Sequence, residues 1–235
     1  MIEWQKCDYH TYLDTGVELQ TSGTTGRPKT IFQDPGKIHE ANIVACSVQG
    51  IDNNSEILTI CSLKHAGGLL AQTLPGVEAG ASVEVMPYNP YRWVMEIEKY
   101  THSHLTPRMA DAIIRTKTFN NLNLSGITIM CGSDPVPARI INSFTKQGAR
   151  FIANWGMTEI GPVAINKTFM PGDEAVDFGK YTILGDAFHC EWRIVDKELH
   201  VRGDICVYDD WFATGDKVVE HNGTLYYIGR LDDIR

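Results

Sequence analysis

The feature that most restricts the fold of this chain is a series of short apolar-rich runs, EILTICS at Glu56–Ser62, SVEVM at Ser82–Met86, GITIMC at Gly126–Cys131 and ARFIAN at Ala149–Asn154. Runs of this length suit strands buried in a parallel sheet better than core helices. Segments of helical periodicity lie between or beside them, at Lys37–Gln49, Tyr91–Tyr100 with Trp93, Val94 and Ile97, Arg108–Thr116 and Pro137–Gln147. His104 and Leu105 form a further strand end just before Pro107, where a helix opens. The alternation predicts an α/β fold with a mostly parallel sheet flanked by helices. From about Val176 helical periodicity stops. Alternating runs at Glu191–Val195, Glu198–Arg202 and Thr224–Ile228, bounded by Gly, Asp and Asn, predict a smaller β-rich subdomain at the C-terminal end. The Pro171–Gly172 turn signal sets the expected division, residues 1–177 against 178–235.

Composition enters as a filter on partners. With 43% hydrophobic and 21% charged residues in 235, the chain has enough apolar material for a core and too little charge bias for disorder. Its formal charge is −8, and no basic stripe with interleaved aromatics appears, so nucleic acid is not an expected partner. Six cysteines at 7, 46, 61, 131, 190 and 206 are widely spaced without a CxxC, which reads as reduced thiols of a cytoplasmic protein. No membrane segment is expected, because the most apolar stretch, 69–86, is broken by Gln72, Thr73, Pro75 and Glu78. His102 and His104 share a strand face, but no further Cys or carboxylate completes a metal set there.

The strongest chemical signal is TSGTTGRPK at Thr21–Lys29, set between a strand at Val17–Thr21 and another resuming at Thr30–Phe32. Gly23 and Gly26 permit close backbone approach, the hydroxyls and amides donate to phosphate oxygens, and Lys29 adds a point charge. A Walker A loop would need Gly before the Lys and a helix opening there. Pro28 occupies that place, so that motif is rejected.

TSGTTGRPK resembles the phosphate loop of the adenylate-forming superfamily, which comprises acyl-CoA synthetases, luciferases and adenylation domains. Further blocks follow in that family's order: KHAGG at 64–68, CGSDP at 131–135, NWGMTE at 154–159, FATGD at 212–216 and GRLDD at 229–233. LKHAGG and HNGTLYYIGRLDD look most like the ligases acting on succinylbenzoate. The resemblance implies ATP-dependent activation of a carboxylic acid to an acyl-adenylate, with ATP or AMP and Mg²⁺ as cofactors and coenzyme A entering in the complete system. It implies that Thr21, Ser22, Gly23, Thr24, Thr25, Gly26 and Lys29 form the phosphate loop, with Thr24, Thr25 and Lys29 on the outgoing phosphates. Gly132, Ser133, Asn154, Trp155, Gly156 and Met157 would border the adenine, Trp155 standing where the family usually has Tyr or Phe. Thr158 would bond the α-phosphate, Glu159 would ligate Mg²⁺ as a hard oxygen donor, and Asp216 would hold the ribose hydroxyls beside Arg230. His65, with Gly67, Gly132 and Gly156, would line the acyl site. Lys29, Thr158, Glu159 and His65 are the expected catalytic group.

The sequence also departs from that pattern. Only sixteen residues precede the first strand and the chain stops just after the hinge block. The family's N-terminal subdomain and C-terminal lid are therefore expected to be absent. Two readings follow: an acid–CoA ligase core completed by a lid polypeptide in trans, or a non-catalytic nucleotide or acyl-adenylate binding module. Apolar surface left by the missing subdomain leads to the expectation of a homodimer.

Overall fold

A computed structural model describes residues 9–21 and 29–231. A short helix α1 (Tyr9–Thr15) leads into β1 (Val17–Gln20), which pairs antiparallel with β2 (Thr30–Gln33). Then come α2 (Pro35–Gln49), β3 (Glu56–Thr59) and a helical stretch made of α3 (Ala66–Gly68), a π-helical turn at Leu69–Thr73 and α4 (Leu74–Glu78). The chain continues through β4 (Ser82–Val85), α5 (Pro90–Glu96), β5 (His102–Leu105), α6 (Pro107–Ile114), β6 (Thr128–Cys131) and α7 (Ala138–Lys146). A long antiparallel pair follows, β7 (Arg150–Met157) and β8 (Gly161–Phe169). The last elements are β9 (Thr182–Gly185), β10 (Ala187–Phe188), β11 (Glu191–Val195), β12 (Glu198–Arg202), β13 (Phe212–His221) and β14 (Thr224–Arg230).

The larger sheet has the order β10-β8-β7-β6-β5-β3-β4. Strands β7, β6, β5, β3 and β4 are mutually parallel, and β8 and β10 close one side antiparallel. The second sheet, β11-β12-β13-β14-β9, is antiparallel throughout. The fold is thus α/β with a mixed, mostly parallel sheet and a C-terminal β sheet. Segment 182–188 touches both: β9 pairs with β14, and β10 two residues later pairs with β8.

The helices start where they do for local reasons. Asp34 accepts from the Lys37 amide at 3.1 Å, Asn89 from Tyr91 and Arg92, and Thr106 from Met109, and each cap is followed by a proline that needs no donor. Helix α2 stops at Gly50, whose φ of 74° turns its amide back to the Cys46 carbonyl. Helix α7 has no such cap of its own. Asp177 supplies one from outside, accepting from the Ala138 amide, while Asn142 and Ala175 exchange two hydrogen bonds alongside.

Sequence and structure part in three places. Tyr91–Tyr100 is α-helical only to Glu96 and closes as a 3₁₀ turn at Ile97–Lys99. The helical stretch over 66–78 has no amphipathic stripe to announce it, since Leu69 to Pro75 are buried on every side. Strand β8 was also silent, because both of its faces are covered from Gly161 to Asn166.

Helices α5, α6 and α7 cover one face of the large sheet, where Trp93, Phe119, Phe144 and Phe151 are fully buried. Phe144 is the centre of this group, with ring centroids 6.1 Å from Trp93, 5.1 Å from Phe119 and 5.5 Å from Phe151. A second cluster joins the two sheets, with Ile160, Ala164 and Ile165 packed against Leu184, Leu199, Val201, Val218 and Leu225. Phe144→Ala is expected to cost about 3–5 kcal/mol, read as a lowered midpoint in urea unfolding, because three facing rings cannot all collapse into the space left.

Candidate functional site

The C-terminal ends of β6 and β7 carry Gly132, Ser133 and the NWGMTE block. The β1–β2 hairpin is closed by Thr21 and Lys29, whose main chains bond at 2.9 Å, and the Lys29 amide also donates to Thr21 Oγ1 at 3.3 Å. Ser22, Gly23, Thr24, Thr25 and Gly26 lie outside the described residues, as does Asp232 of the hinge block. The hairpin ends at Gln33, which is buried and donates from Nε2 to the Thr158 carbonyl at 2.5 Å. The strand carrying the phosphate-loop motif is thereby tied directly to the NWGMTE turn.

That turn joins β7 to β8. Gly156 sits at the register shift between Trp155 and Met157, where a Cβ would lie 2.4 Å from the Pro162 carbonyl oxygen, so only glycine fits without movement. Thr158 and Glu159 occupy the connection itself, held by Ile160 donating to Met157 and by Val207 donating to the Glu159 carbonyl at 3.0 Å. Glu159 is therefore not a helix-start acid. Its carboxylate makes no hydrogen bond among the described residues. Asn154 donates to Pro162 at 2.8 Å, while its buried Oδ1 has no partner among the described residues. Gly132 approaches it so closely that a Cβ there would lie 2.6 Å from the Asn154 carbonyl oxygen.

Asp216 lies mid-strand in β13 and is 5% exposed. Arg230, opposite it on β14, donates to Oδ1 at 2.8 Å and to the Thr214 carbonyl at 3.0 Å. Trp155 Nε1 reaches across from the large sheet to Oδ2 at 2.9 Å. The main chain next to Asp216 is held as well: its amide bonds Thr214 Oγ1, and the Gly215 amide bonds Glu198. A buried carboxylate is tolerable because charge-assisted and indole donors replace its water shell. Gly215 is required here, with φ of 75° and Arg230 Nη2 only 3.0 Å from where a Cβ would be.

His65 precedes α3 and is exposed; its carbonyl accepts from Gly68 and Leu69, and its ring caps nothing. Gly67 lies against the loop after β6, a Cβ there falling 2.7 Å from Ser133 Oγ. The structure thus unites Gln33 with Thr158, Trp155 with Asp216 and Arg230, Gly132 with Asn154, and Gly67 with Ser133. It does not bond the His65 ring to any of them. Sequence reasoning missed Gln33 and Glu198. Gln33 did carry a signal, since it shares the inward face of β2 with Ile31, and an inward amide needs a partner.

Among the described residues, no cluster of three or more His, Cys, Asp or Glu could hold a metal ion by itself. No helix there is long and apolar enough to cross a membrane.

Glycine-lined strand ends, a turn bearing a hydroxyl and a carboxylate, and a buried aspartate thus lie close together, and comparison with known proteins assigns the family. Residues 19–215 match the family described as AMP-binding enzyme, and the chain belongs to that family. Indoleacetate–CoA ligase of Aromatoleum aromaticum is 29% identical over 226 residues, covering 83% of this chain and 43% of the relative. 2-Succinylbenzoate–CoA ligase of Escherichia coli is 25% identical over 236 residues, covering 91% and 47%. ATP-bound MatB from Rhodopseudomonas palustris superposes with a TM-score of 0.76 at 17% identity, covering 93% of this chain and 48% of that one. The chain spans less than half the length of each of these two ligases.

Trp155→Phe keeps an aromatic side chain, though a smaller one, and removes the donor, leaving Asp216 Oδ2 without its indole partner. About 1.5–3 kcal/mol of stability should be lost, measured by chemical denaturation, and a cost indistinguishable from zero would show that the bridge carries no load.

Proposed function

We propose that this chain forms the nucleotide- and acyl-binding part of an ATP-dependent acid–CoA ligase. The observation that carries the reading is the Asp216–Arg230–Trp155 cluster beside a turn that Gln33 ties to the phosphate-loop hairpin. In this proposal a carboxylate oxygen attacks the α-phosphorus of ATP, pyrophosphate leaves, and an acyl-adenylate forms. In the complete system the coenzyme A thiol then attacks the acyl carbonyl and AMP departs.

The chain's own residues supply orientation and charge rather than covalent chemistry. Lys29, with Thr21, Ser22, Gly23, Thr24, Thr25 and Gly26, receives the outgoing phosphates. Thr158 hydrogen-bonds the α-phosphate. Asn154 Oδ1, a buried acceptor with no partner among the described residues, suits an adenine amino group. Each Asp216 oxygen accepts one hydrogen bond, which leaves lone pairs for the ribose hydroxyls beside Arg230. Gly132, Ser133, Gly156 and Met157 give the base a floor of main chain, and His65 with Gly67 faces the acid.

Mg²⁺ fits this donor set, because the ion commonly takes one carboxylate, here Glu159, together with phosphate oxygens. When bound it neutralises charge developing on the leaving pyrophosphate. The names of the relatives, indoleacetate and 2-succinylbenzoate ligases, carry over an aryl-bearing carboxylic acid as the substrate class. A cytoplasmic setting, completion by a lid polypeptide and self-association through exposed Phe32 and Ile43 belong to the same proposal.

Calorimetric titration tests it. Asp216→Ala should weaken AMP binding at least tenfold, about 1.4 kcal/mol. Lys29→Ala should weaken Mg·ATP and leave AMP nearly unchanged, since AMP lacks the outer phosphates. AMP affinity indifferent to Asp216→Ala would overturn the ribose assignment. Binding without pyrophosphate release over a panel of aryl acids, even with a lid domain added, would favour a non-catalytic binding module.

A further inference from the structure

Strand β2 turns Ile31 and Gln33 inward and Thr30 and Phe32 outward. Gln33 is a polar residue in an apolar place, 3% exposed and opposite Val17 in the hairpin. An aliphatic side chain would fill that place without needing a partner, whereas a polar group buried unpaired costs about 1–3 kcal/mol. The partner that Gln33 finds is 125 positions away: Nε2 donates to the Thr158 carbonyl at 2.5 Å. A carbonyl oxygen only accepts, so the amide nitrogen has to be the atom that faces it.

The hairpin gives that bond leverage. Thr21 and Lys29 close one end, and from there to Gln33 every residue of β2 is paired with β1, with no shift of register. Lys29 and Gln33 are four residues apart along an extended strand, roughly 13 Å. Leu19 and Ile31, paired across the ladder, are buried on its inner face. A displacement at Lys29 therefore reaches Gln33 with no bulge between them to absorb it.

At its other end the bond acts on the unit that bears both proposed ligand groups. The Thr158 carbonyl and the Glu159 amide share one peptide plane, so holding the oxygen fixes how the two residues are turned. The next peptide is held as well, because the Glu159 carbonyl accepts from the Val207 amide at 3.0 Å. Lys37, in the first turn of α2, reaches the same segment through the Asp204 carbonyl at 3.0 Å. Stretch 33–37 thus holds Thr158 directly and also grips the segment that holds Glu159, and it follows Lys29 closely in the chain.

We propose that Gln33 is a positioning residue that couples the two ends of the triphosphate site: phosphates received at Lys29 shift the hairpin, and the Nε2 bond carries that shift to Thr158 and Glu159. The outer phosphates thereby set the groups assigned to the α-phosphate and Mg²⁺. This rests on the ATP-dependent ligase reading given above and adds to it a coupling within the site. Gln33 acts through Thr158 and touches no ligand in this role. Linkage makes the effect reciprocal, so AMP and pyrophosphate favour each other's binding.

The test uses the whole chain, labelled with carbon-13 and nitrogen-15. Metal-free pyrophosphate is the first probe, because it supplies outer phosphates with neither an α-phosphate for Thr158 nor an ion for Glu159. Its addition should move the Gln33 side-chain amide and the Thr158 carbonyl resonances together, with one apparent affinity. In Gln33→Met, which keeps the length of the side chain and removes the donor, pyrophosphate should still bind while the Thr158 carbonyl no longer responds. The second readout is the ratio of AMP Kd values without and with saturating Mg·pyrophosphate. In the unaltered chain AMP should tighten about fivefold or more, and in Gln33→Met that factor should fall to about one. A glutamine that only supports the fold would lower stability and leave the factor as it was. The inference is overturned by a Thr158 carbonyl that stays still while pyrophosphate binds the unaltered chain, or by equal factors in the two chains. Where Gln33→Met fails to fold, the joint movement of the two resonances in the unaltered chain decides. Failure of the unaltered chain to bind either AMP or pyrophosphate would instead overturn the nucleotide reading, and this inference with it.

Discussion

The hydrogen bond from Trp155 to Asp216 is the contact on which the geometry of the candidate site depends. Its donor belongs to a strand of the large sheet and its acceptor to the second sheet. The bond therefore spans two distinct hydrogen-bond ladders. Arg230 completes the arrangement by meeting the other oxygen from the adjacent strand. A carboxylate with so little water contact loses stability when either donor is removed, so the contact between the sheets and the geometry of the site are linked. The apolar cluster around Ile160, Leu199 and Val218 supplies the burial that brings the two ladders together.

A second constraint is the way short loops are held at the strand ends. Gln33 couples the phosphate-loop hairpin to Thr158, Val207 anchors Glu159 through its carbonyl, and Lys37 reaches the Asp204 carbonyl at 3.0 Å. In each case the partner is a main-chain carbonyl and the positioned side chain is left available. Side chains of Thr158 and Glu159 can then meet a ligand without first breaking a bond to another described residue. Close packing of main chain at Gly132, Gly156 and Gly215 serves the same end, since any side chain there would strike a carbonyl or the Arg230 guanidinium.

Much of this was legible from residues alone. The four apolar runs appear as β3, β4, β6 and β7, and the helical periods between them appear as α2, α5, α6 and α7. The blocks resembling adenylate-forming enzymes agree with the family to which residues 19–215 belong. What escaped was whatever depends on a partner far along the chain. Asp216 after a glycine looks like a turn residue, yet it sits within a strand because Arg230 and Trp155 hold it there. Gln33 was one polar residue in a short strand until Thr158, distant in sequence, accepted its amide proton. Strand β8 and the stretch 66–78 were obscure because burial on all sides removes the periodicity that a half-buried element shows.

The sequence by itself determined the alternation of strands and helices, the capping of α2, α5 and α6, the phosphate-loop composition and the family, because these are set by local spacing and residue type. Only the tertiary structure decided that Trp155 bonds a carboxylate, that Gln33 reaches the Thr158 carbonyl, and that segment 182–188 serves two sheets. The physical reason is that donor and acceptor pairing in a core depends on which distant groups are desolvated together. No short window of residues carries that information.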